Sequence, residues 1–131
     1  MYRKADLEGM KPLMDPPDRT GVVYFISAVR RPDYPVKIGY STKHSLSRRL
    51  SQLQTAMPYG MDVLYVGVST VQDEQSYHIR FDRQHLRGEW FDRSPELDEL
   101  IKGLRRANRK WRENVSIPEF RPGLRLPTEI I

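Results

Sequence analysis

The sequence predicts one α+β domain in which three short strands are combined with three helices. The run from Val22 to Ile26 is β-branched and aromatic, which is typical of a central strand covered on both faces. After Ser45, apolar residues recur at helical spacing and form one stripe, namely Leu46, Leu50, Leu53 and Met57. Splitting 131 residues into two domains would leave each with too little buried surface to offset chain entropy, so we expect a single core.

The first two strands are expected to pair as a hairpin. The segment RRPDYP is rich in turn residues and precedes residues 36–38, in which Val36 and Ile38 share one face. Gly39 is expected to end this second strand, because glycine permits a bend that a residue with a side chain resists. The first helix should then stop before residues 58–60, whose sequence is Pro-Tyr-Gly.

A third strand is expected over Met61 to Val68, followed by two helices. Thr70 and Asp73 fit the capping box that starts the second helix. A serine-proline pair starts the third helix, expected over 95–113. Its buried stripe is predicted to comprise Leu97, Leu100, Ile101, Leu104 and Trp111. The GEWF segment between these helices is interpreted as structural: its glycine turns the chain and its two aromatic residues close the core.

The two ends of the chain differ from its middle. Residues 1–20 contain three prolines and are interpreted as a leader or linker. Residues 114–131 contain three more and are expected to form an extended, Pro-rich tail. The tail could dock on its own domain or on a protein partner, and a homodimer stays open. The domain itself is assigned to residues 21–113.

The formal net charge of +5 favours a polyanionic partner such as DNA, because basic side chains that neutralise phosphates release counterions. The side of the third helix opposite its apolar stripe is expected to carry six basic residues with no acid among them. We expect these residues to contact the DNA backbone, with a solvated surface as the alternative. They are Lys102, Arg105, Arg106, Arg109, Lys110 and Arg112.

Several classes of protein and site are excluded or disfavoured. The chain has no cysteine, which excludes disulfides and thiolate-bound zinc or iron-sulfur clusters. No apolar run approaches the roughly 20 residues that cross a bilayer. The first ten residues, MYRKADLEGM, lack a signal-peptide core. We therefore expect a cytoplasmic, intracellular protein with no membrane partner.

Common nucleotide-binding and hydrolase motifs are absent: there is no Gly-rich phosphate loop, no nucleophile elbow and no histidine cluster. On the first helix, Arg49 lies about 75° from the centre of the apolar stripe, whereas Arg48 points almost directly away from it. Glu74 and His78 are four residues apart and share a helix face. The candidates for chemistry are Tyr24, Lys37, Arg49, Glu74 and His78.

Five segments occur in an order that resembles the GIY-YIG nuclease superfamily, in particular a compact phage-type branch. They are GVVYFI at 21–26, VKIGYST at 36–42, RRLSQLQTAMP at 48–58, EQSYHIRF at 74–81 and GEWF at 88–91. The resemblance covers about 70 residues, slightly over half of the chain. It implies a small three-stranded antiparallel sheet flanked by helices, and cleavage of DNA phosphodiesters that depends on one Mg²⁺ or Mn²⁺ ion.

The resemblance also implies roles for individual residues. Tyr24 matches the tyrosine of the first motif, Arg49 the helix arginine, and Glu74 the metal-binding carboxylate. His78 matches a histidine that this branch places four residues after the glutamate. Lys37 stands where many members have tyrosine, so the general base stays open among Tyr24, Lys37 and His78. Glu89 is a weaker candidate for a second metal ligand.

The chemistry of phosphodiester hydrolysis requires the same types of group. The reaction needs an activated water and neutralisation of the negative charge that builds up in the transition state. Glu74 would hold a hard cation, Arg49 would bind a nonbridging oxygen, and Tyr24 would position or deprotonate the water. A tyrosine base needs a lowered pKa, for which Lys37 could supply the positive charge.

Two other classes of function compete with the nuclease. The chain could be a nucleic-acid-binding module that keeps the fold without cleavage, or a protein-interaction scaffold with neither DNA affinity nor metal binding. The ordinary structural alternatives are a buried core tyrosine for Tyr24, a solvated acid for Glu74 and a solvated strand position for Lys37.

Overall fold

An eight-residue strand, β1 (Gly21–Ala28), is buried along its whole length and forms the centre of the molecule. The computed structural model describes residues 21–115, and all structural statements concern these residues. β1 lies in an antiparallel sheet with the strand order β3-β1-β2-β5-β4. The other strands are β2 (Val36–Ser41), β3 (Met61–Ser69), β4 (His85–Arg87) and β5 (Trp90–Phe91).

Three α-helices cover this sheet: α1 (Leu46–Ala56), α2 (Val71–Arg80) and α3 (Pro95–Ala107). Short 3₁₀ turns follow at Asp82–Gln84 and Trp111–Asn114. α1 lies over the sheet face that carries Tyr24, since residues of both line one cavity. On the opposite face, Tyr77 of α2 stacks edge-on against Phe25 at 5.6 Å between ring centroids.

The predicted α+β class and the β1–β2 hairpin are confirmed, but the predicted number of strands is wrong. The sheet has five strands rather than three, because the segment after α2 turns back as a hairpin of β4 and β5. Gly88 makes that turn with a φ of 56°, a conformation in which glycine avoids steric strain. The two added strands contain three and two residues, too few for any alternation of polar and apolar side chains.

The helix starts follow the sequence prediction closely. The Thr70 hydroxyl accepts a hydrogen bond from the Asp73 amide at 3.1 Å, and the Asp73 carboxylate accepts one from the Ser69 hydroxyl at 2.6 Å. At the start of α3, the Ser94 hydroxyl accepts from the Leu97 amide at 3.1 Å. Each cap satisfies a backbone donor that the helix cannot, which stabilises a helix by about 1 kcal/mol.

The third helix is shorter than the predicted range of 95–113. It ends at Ala107, and Trp111 belongs to the 3₁₀ turn that follows, where it packs 5.6 Å from the Tyr65 ring. Asn114 also belongs to this turn and Val115 is buried, so the predicted extended tail does not begin at 114. The predicted leader, residues 1–20, and the tail from 116 lie outside the described residues.

Side chains from the C-terminal segment satisfy the outer edge of β3, the last strand on that side of the sheet. The Nε of Arg105 donates to the Leu64 carbonyl at 2.6 Å, and the Asn114 amide donates to the Val66 carbonyl at 2.8 Å. These bonds occupy carbonyls that would otherwise be open to strand pairing with another chain. Between residues 21 and 115, no helix combines the length and the apolar character that a bilayer span requires.

Candidate active site

The ring of Tyr24 crosses the neighbouring strand at Gly39. The two residues are directly opposite in the β1–β2 register, and a Cβ atom at position 39 would collide with the Tyr24 ring and hydroxyl. The expectation that Gly39 ends the strand is wrong, because β2 continues through it to Ser41. The glycine is needed for the space it leaves, and that space lets a tyrosine that is 1% exposed extend its hydroxyl towards a cavity.

This cavity, with a volume of about 200 Å³, brings together residues from β1, β2, α1 and the β4–β5 turn. Arg49 lies on the face of α1 that also presents Gln52 and Leu53, as expected for residues three and four apart. Arg48, its neighbour, is exposed and does not line the cavity. The residues that line the cavity are Tyr24, Lys37, Arg49, Gln52, Leu53 and Glu89.

Next to this cavity, two carboxylates and an imidazole converge. Ligand atoms of Glu74, His78 and Glu89 all lie within 4.8 Å of one another. Glu74 reaches this position from α2 and is only 8% exposed, whereas Glu89 comes from the turn that joins β4 to β5. Two converging carboxylates suit a hard divalent cation such as Mg²⁺ or Mn²⁺, which would also relieve the repulsion between the two acids. The residues present therefore fit a metal ion.

The backbone of Ile38 fixes two of these residues against the edge of β2. Its amide donates to the Glu89 carbonyl oxygen at 2.9 Å, and its carbonyl lies 2.9 Å from Nε2 of His78. A carbonyl oxygen only accepts hydrogen bonds, so Nε2 must carry the proton. The same Nε2 lies 3.4 Å from Oε2 of Glu74. His78 therefore offers only Nδ1 as an acceptor while this arrangement holds.

Lys37 is engaged by an acid of the site. Its Nζ lies 3.0 Å from Oε1 of Glu89, and its side chain is mostly buried. An ammonium group has no acceptor, so in this ion pair Lys37 supplies positive charge and donated hydrogen bonds.

The surroundings change the acidity of two of these groups. Burial raises the pKa of Glu74 to about 7, and the charge of Glu89 and a hydrogen bond to it act in the same direction. Burial likewise raises the pKa of Tyr24 to about 12, although Arg49 opposes the rise through its charge and a hydrogen bond. The expectation that Lys37 lowers the pKa of Tyr24 is therefore wrong. Arg49 is the nearby cation, and burial outweighs it.

The predicted basic surface of the third helix is only partly present. Lys102 and Arg106 are exposed on α3, whereas Arg109, Lys110 and Arg112 follow the helix end. Arg105 points inwards to the Leu64 carbonyl, and burial lowers its pKa. Arg105 and Arg112 also lie over the Trp111 ring, at 5.4 and 4.7 Å from its centroid. The six residues therefore do not form one solvent-facing stripe.

Sequence reasoning underrated Glu89 and missed Gln52 and Leu53. For Gln52 and Leu53 the signal was present, since both share a helix face with Arg49. For Glu89 the signal was only its place in the GEWF segment, because the hairpin that carries it to Glu74 has no pattern of its own.

A family model for the T5orf172 domain matches residues 21–111 of the chain. This domain is phage-associated and is found in some nuclease-like proteins. The matched range contains all five strands, the three helices and every candidate residue of the site. A search of curated proteins and a search of solved structures found no match.

Proposed function

The chain belongs to the T5orf172 domain family, and we propose that it is a metal-dependent endonuclease of the GIY-YIG type that hydrolyses DNA phosphodiester bonds. One observation carries this proposal. Tyr24, Arg49 and the Glu74–Glu89 carboxylates, from four separate segments of the chain, meet at one cavity and its rim. A tyrosine, an arginine and a pair of acids are the groups that metal-assisted phosphodiester hydrolysis uses.

Each residue has a role that follows from its position. Arg49 binds a nonbridging phosphate oxygen, because its planar guanidinium matches phosphate and is always charged. Tyr24 keeps its proton at neutral pH, so its hydroxyl orients the attacking water by hydrogen bonding instead of removing a proton. Lys37 adds positive charge beside the phosphate and holds Glu89 in place. In the reaction, the water oxygen forms a bond to phosphorus and its proton passes to solvent, while the bond from phosphorus to the leaving oxygen breaks and that oxygen takes up a proton from solvent.

Glu74 and Glu89 are the proposed metal ligands. A Mg²⁺ or Mn²⁺ ion bound there would lower the pKa of a water molecule and neutralise charge on the phosphate. His78 holds Glu74 and the edge of β2 through its Nε2 proton.

A second candidate is a DNA-binding module of the same fold without cleavage. Three features favour it: the raised pKa of Tyr24, the ion pair of Lys37 with Glu89, and the contact of Nε2 of His78 with the Ile38 carbonyl, which requires the proton on that nitrogen. In this arrangement, neither Tyr24 nor Lys37 has a free lone pair that could take a proton from water, and His78 has only that of Nδ1.

Nicking of supercoiled plasmid with Mg²⁺ or Mn²⁺ separates the two functions. The endonuclease requires metal-dependent nicking that falls about 10²-fold or more in Glu74→Gln. Glu99→Gln is the matched control, since it removes the same charge from an exposed position on α3. Salt-sensitive DNA binding without nicking in any metal selects the binding module.

A further inference from the structure

Three half-buried aromatic rings pack against one another, one of them beside Lys37 of the cavity, and have no part in the proposed reaction. Tyr34 comes from the β1–β2 loop, Tyr59 from the loop after α1, and Trp90 from β5. The Tyr34 ring packs edge-on with Tyr59 and with Trp90, each at 5.9 Å between centroids. Each ring keeps part of its surface in solvent. We call these three residues the aromatic cluster.

Two cations extend the cluster towards solvent and towards the cavity. The exposed guanidinium of Arg31 lies 4.1 Å from the centroid of the Tyr59 ring, close enough for a stacked cation–π contact. Lys37 lies 5.8 Å from the centroid of Trp90 and also lines the cavity. The aromatic cluster and the proposed phosphate site are therefore adjacent and share one residue.

The loop that carries Arg31 and Tyr34 is held in a defined conformation. The buried Ser27 hydroxyl lies 2.9 Å from the Pro35 carbonyl and 3.2 Å from that of Tyr34. The Val29 amide donates to the Gly60 carbonyl at 2.9 Å, which ties this loop to the segment with Tyr59. Arg30 has a φ of 59°, a left-handed conformation that costs a non-glycine residue energy and persists where the surroundings impose it.

We propose that the aromatic cluster and Arg31 bind an unpaired base of the DNA strand whose phosphate enters the cavity. Every nucleobase has a flat face that stacks on aromatic rings and on the guanidinium plane. Bases inside a continuous duplex are already stacked on one another and cannot reach such a surface. The preferred substrate is therefore DNA with single-stranded nucleotides at the cleavage site. This inference rests on the proposed function for the role of the cavity.

Binding without cleavage tests the cluster directly. The full chain is titrated in chelator against a labelled single strand of about 20 nucleotides and a duplex of the same length. Anisotropy reports binding, and tryptophan emission reports stacking on Trp90, since the other tryptophan, Trp111, is only 2% exposed. The single strand should bind about tenfold more tightly than the duplex and should quench the emission.

Four variants separate stacking from charge and from folding. Trp90→Leu should weaken single-strand binding about tenfold and leave duplex binding nearly unchanged. Arg31→Gln should weaken single-strand binding about tenfold and duplex binding only slightly, as expected for the loss of one exposed charge. Trp90→Phe keeps a ring and should restore most of the loss. Arg83→Gln removes one exposed charge from the turn after α2 and should weaken both substrates slightly and equally. If Trp90→Leu does not melt cooperatively and is therefore unfolded, the comparison of Arg31→Gln with Trp90→Phe and the native chain takes its place.

Equal affinity for the two DNAs, or losses in Trp90→Leu and Arg31→Gln no greater than in Arg83→Gln, would overturn the inference. Because chelator prevents cleavage, the result is independent of the nicking assay. Ring-dependent binding without nicking would contradict the proposed function alone. Nicking by a chain that prefers duplex regardless of its rings would contradict this inference alone.

Discussion

Nε2 of His78 lies 2.9 Å from the carbonyl oxygen of Ile38, and this contact fixes which ring nitrogen holds the proton. The sequence suggested His78 as a general base, but the ring nitrogen that faces Glu74 carries the proton, which leaves only Nδ1 with a free lone pair. Held in this way, the imidazole positions Glu74. It also satisfies the Ile38 carbonyl, just past the two residues of β2 that pair with the short strand β5.

A glutamine at position 78 should therefore replace much of what the histidine does. Its amide can donate to the Ile38 carbonyl from a position close to that of Nε2. We expect His78→Gln to nick plasmid within about tenfold of the native chain and His78→Ala to lose about 10- to 100-fold. ¹⁵N NMR of the native ring should show a protonated Nε2. Equal losses in both variants, with an unprotonated Nε2, would restore the general-base role.

Glu74→Gln should stabilise the metal-free protein and remove its response to metal. The change relieves repulsion between two carboxylates, one of which is buried. At about pH 8, where Glu74 is mostly ionised, we expect a melting temperature a few degrees above the native value. Added Mn²⁺ should raise the melting temperature of the native chain and of Glu99→Gln, but not of Glu74→Gln. A native chain that does not respond to Mn²⁺ contradicts the metal site.

Gly39→Ala should destabilise the fold through a clash with the Tyr24 ring. Overpacking of this kind costs about 1–3 kcal/mol. In a Tyr24→Ala background, the same change at position 39 should cost much less, because the ring that occupies the space is gone. Denaturant unfolding of the four chains measures this coupling. Equal costs in both backgrounds would show that the glycine serves the backbone rather than the tyrosine.

Neighbouring arginines of α3 should affect different properties. Arg105→Gln removes a charge-assisted hydrogen bond to the Leu64 carbonyl and should lower the free energy of unfolding by about 1–3 kcal/mol. Arg106→Gln, at an exposed position, should leave stability near the native value and weaken DNA binding in a salt-dependent way. Urea unfolding and DNA titrations at two salt concentrations provide both readouts. The reverse pattern would return Arg105 to the DNA-binding surface.

Local patterns predicted the parts of the fold that local interactions determine. The caps at Thr70 and Ser94 depend on neighbours within three residues, and the apolar run of β1 is in itself the signal of a buried strand; all three are as expected. The β4–β5 hairpin was missed because its strands are too short to have a period, and it forms by pairing with β2. Gly39 makes room for the ring of Tyr24 on the neighbouring strand, and the spacing of the two residues in the sequence does not reveal this contact.

In the candidate site too, local geometry was predictable from the sequence and long-range contacts were not. Helical geometry places Arg49 at the cavity and Arg48 in solvent, as the angle from the apolar stripe predicted. The raised pKa of Tyr24 depends on burial, which spacing does not give. The inward turn of Arg105 depends on a carbonyl more than 40 residues away in sequence.

The central claim is that the cavity lined by Tyr24 and Arg49 is the site of DNA hydrolysis. The most direct test compares plasmid nicking by Arg48→Gln and Arg49→Gln in one assay with Mn²⁺. The two variants lose the same charge from adjacent positions of α1, and only Arg49 lines the cavity. We predict that Arg48→Gln nicks plasmid within about twofold of the native chain and that Arg49→Gln loses about 10²-fold. Equal rates in the two variants would contradict the assignment of this cavity as the site of DNA hydrolysis.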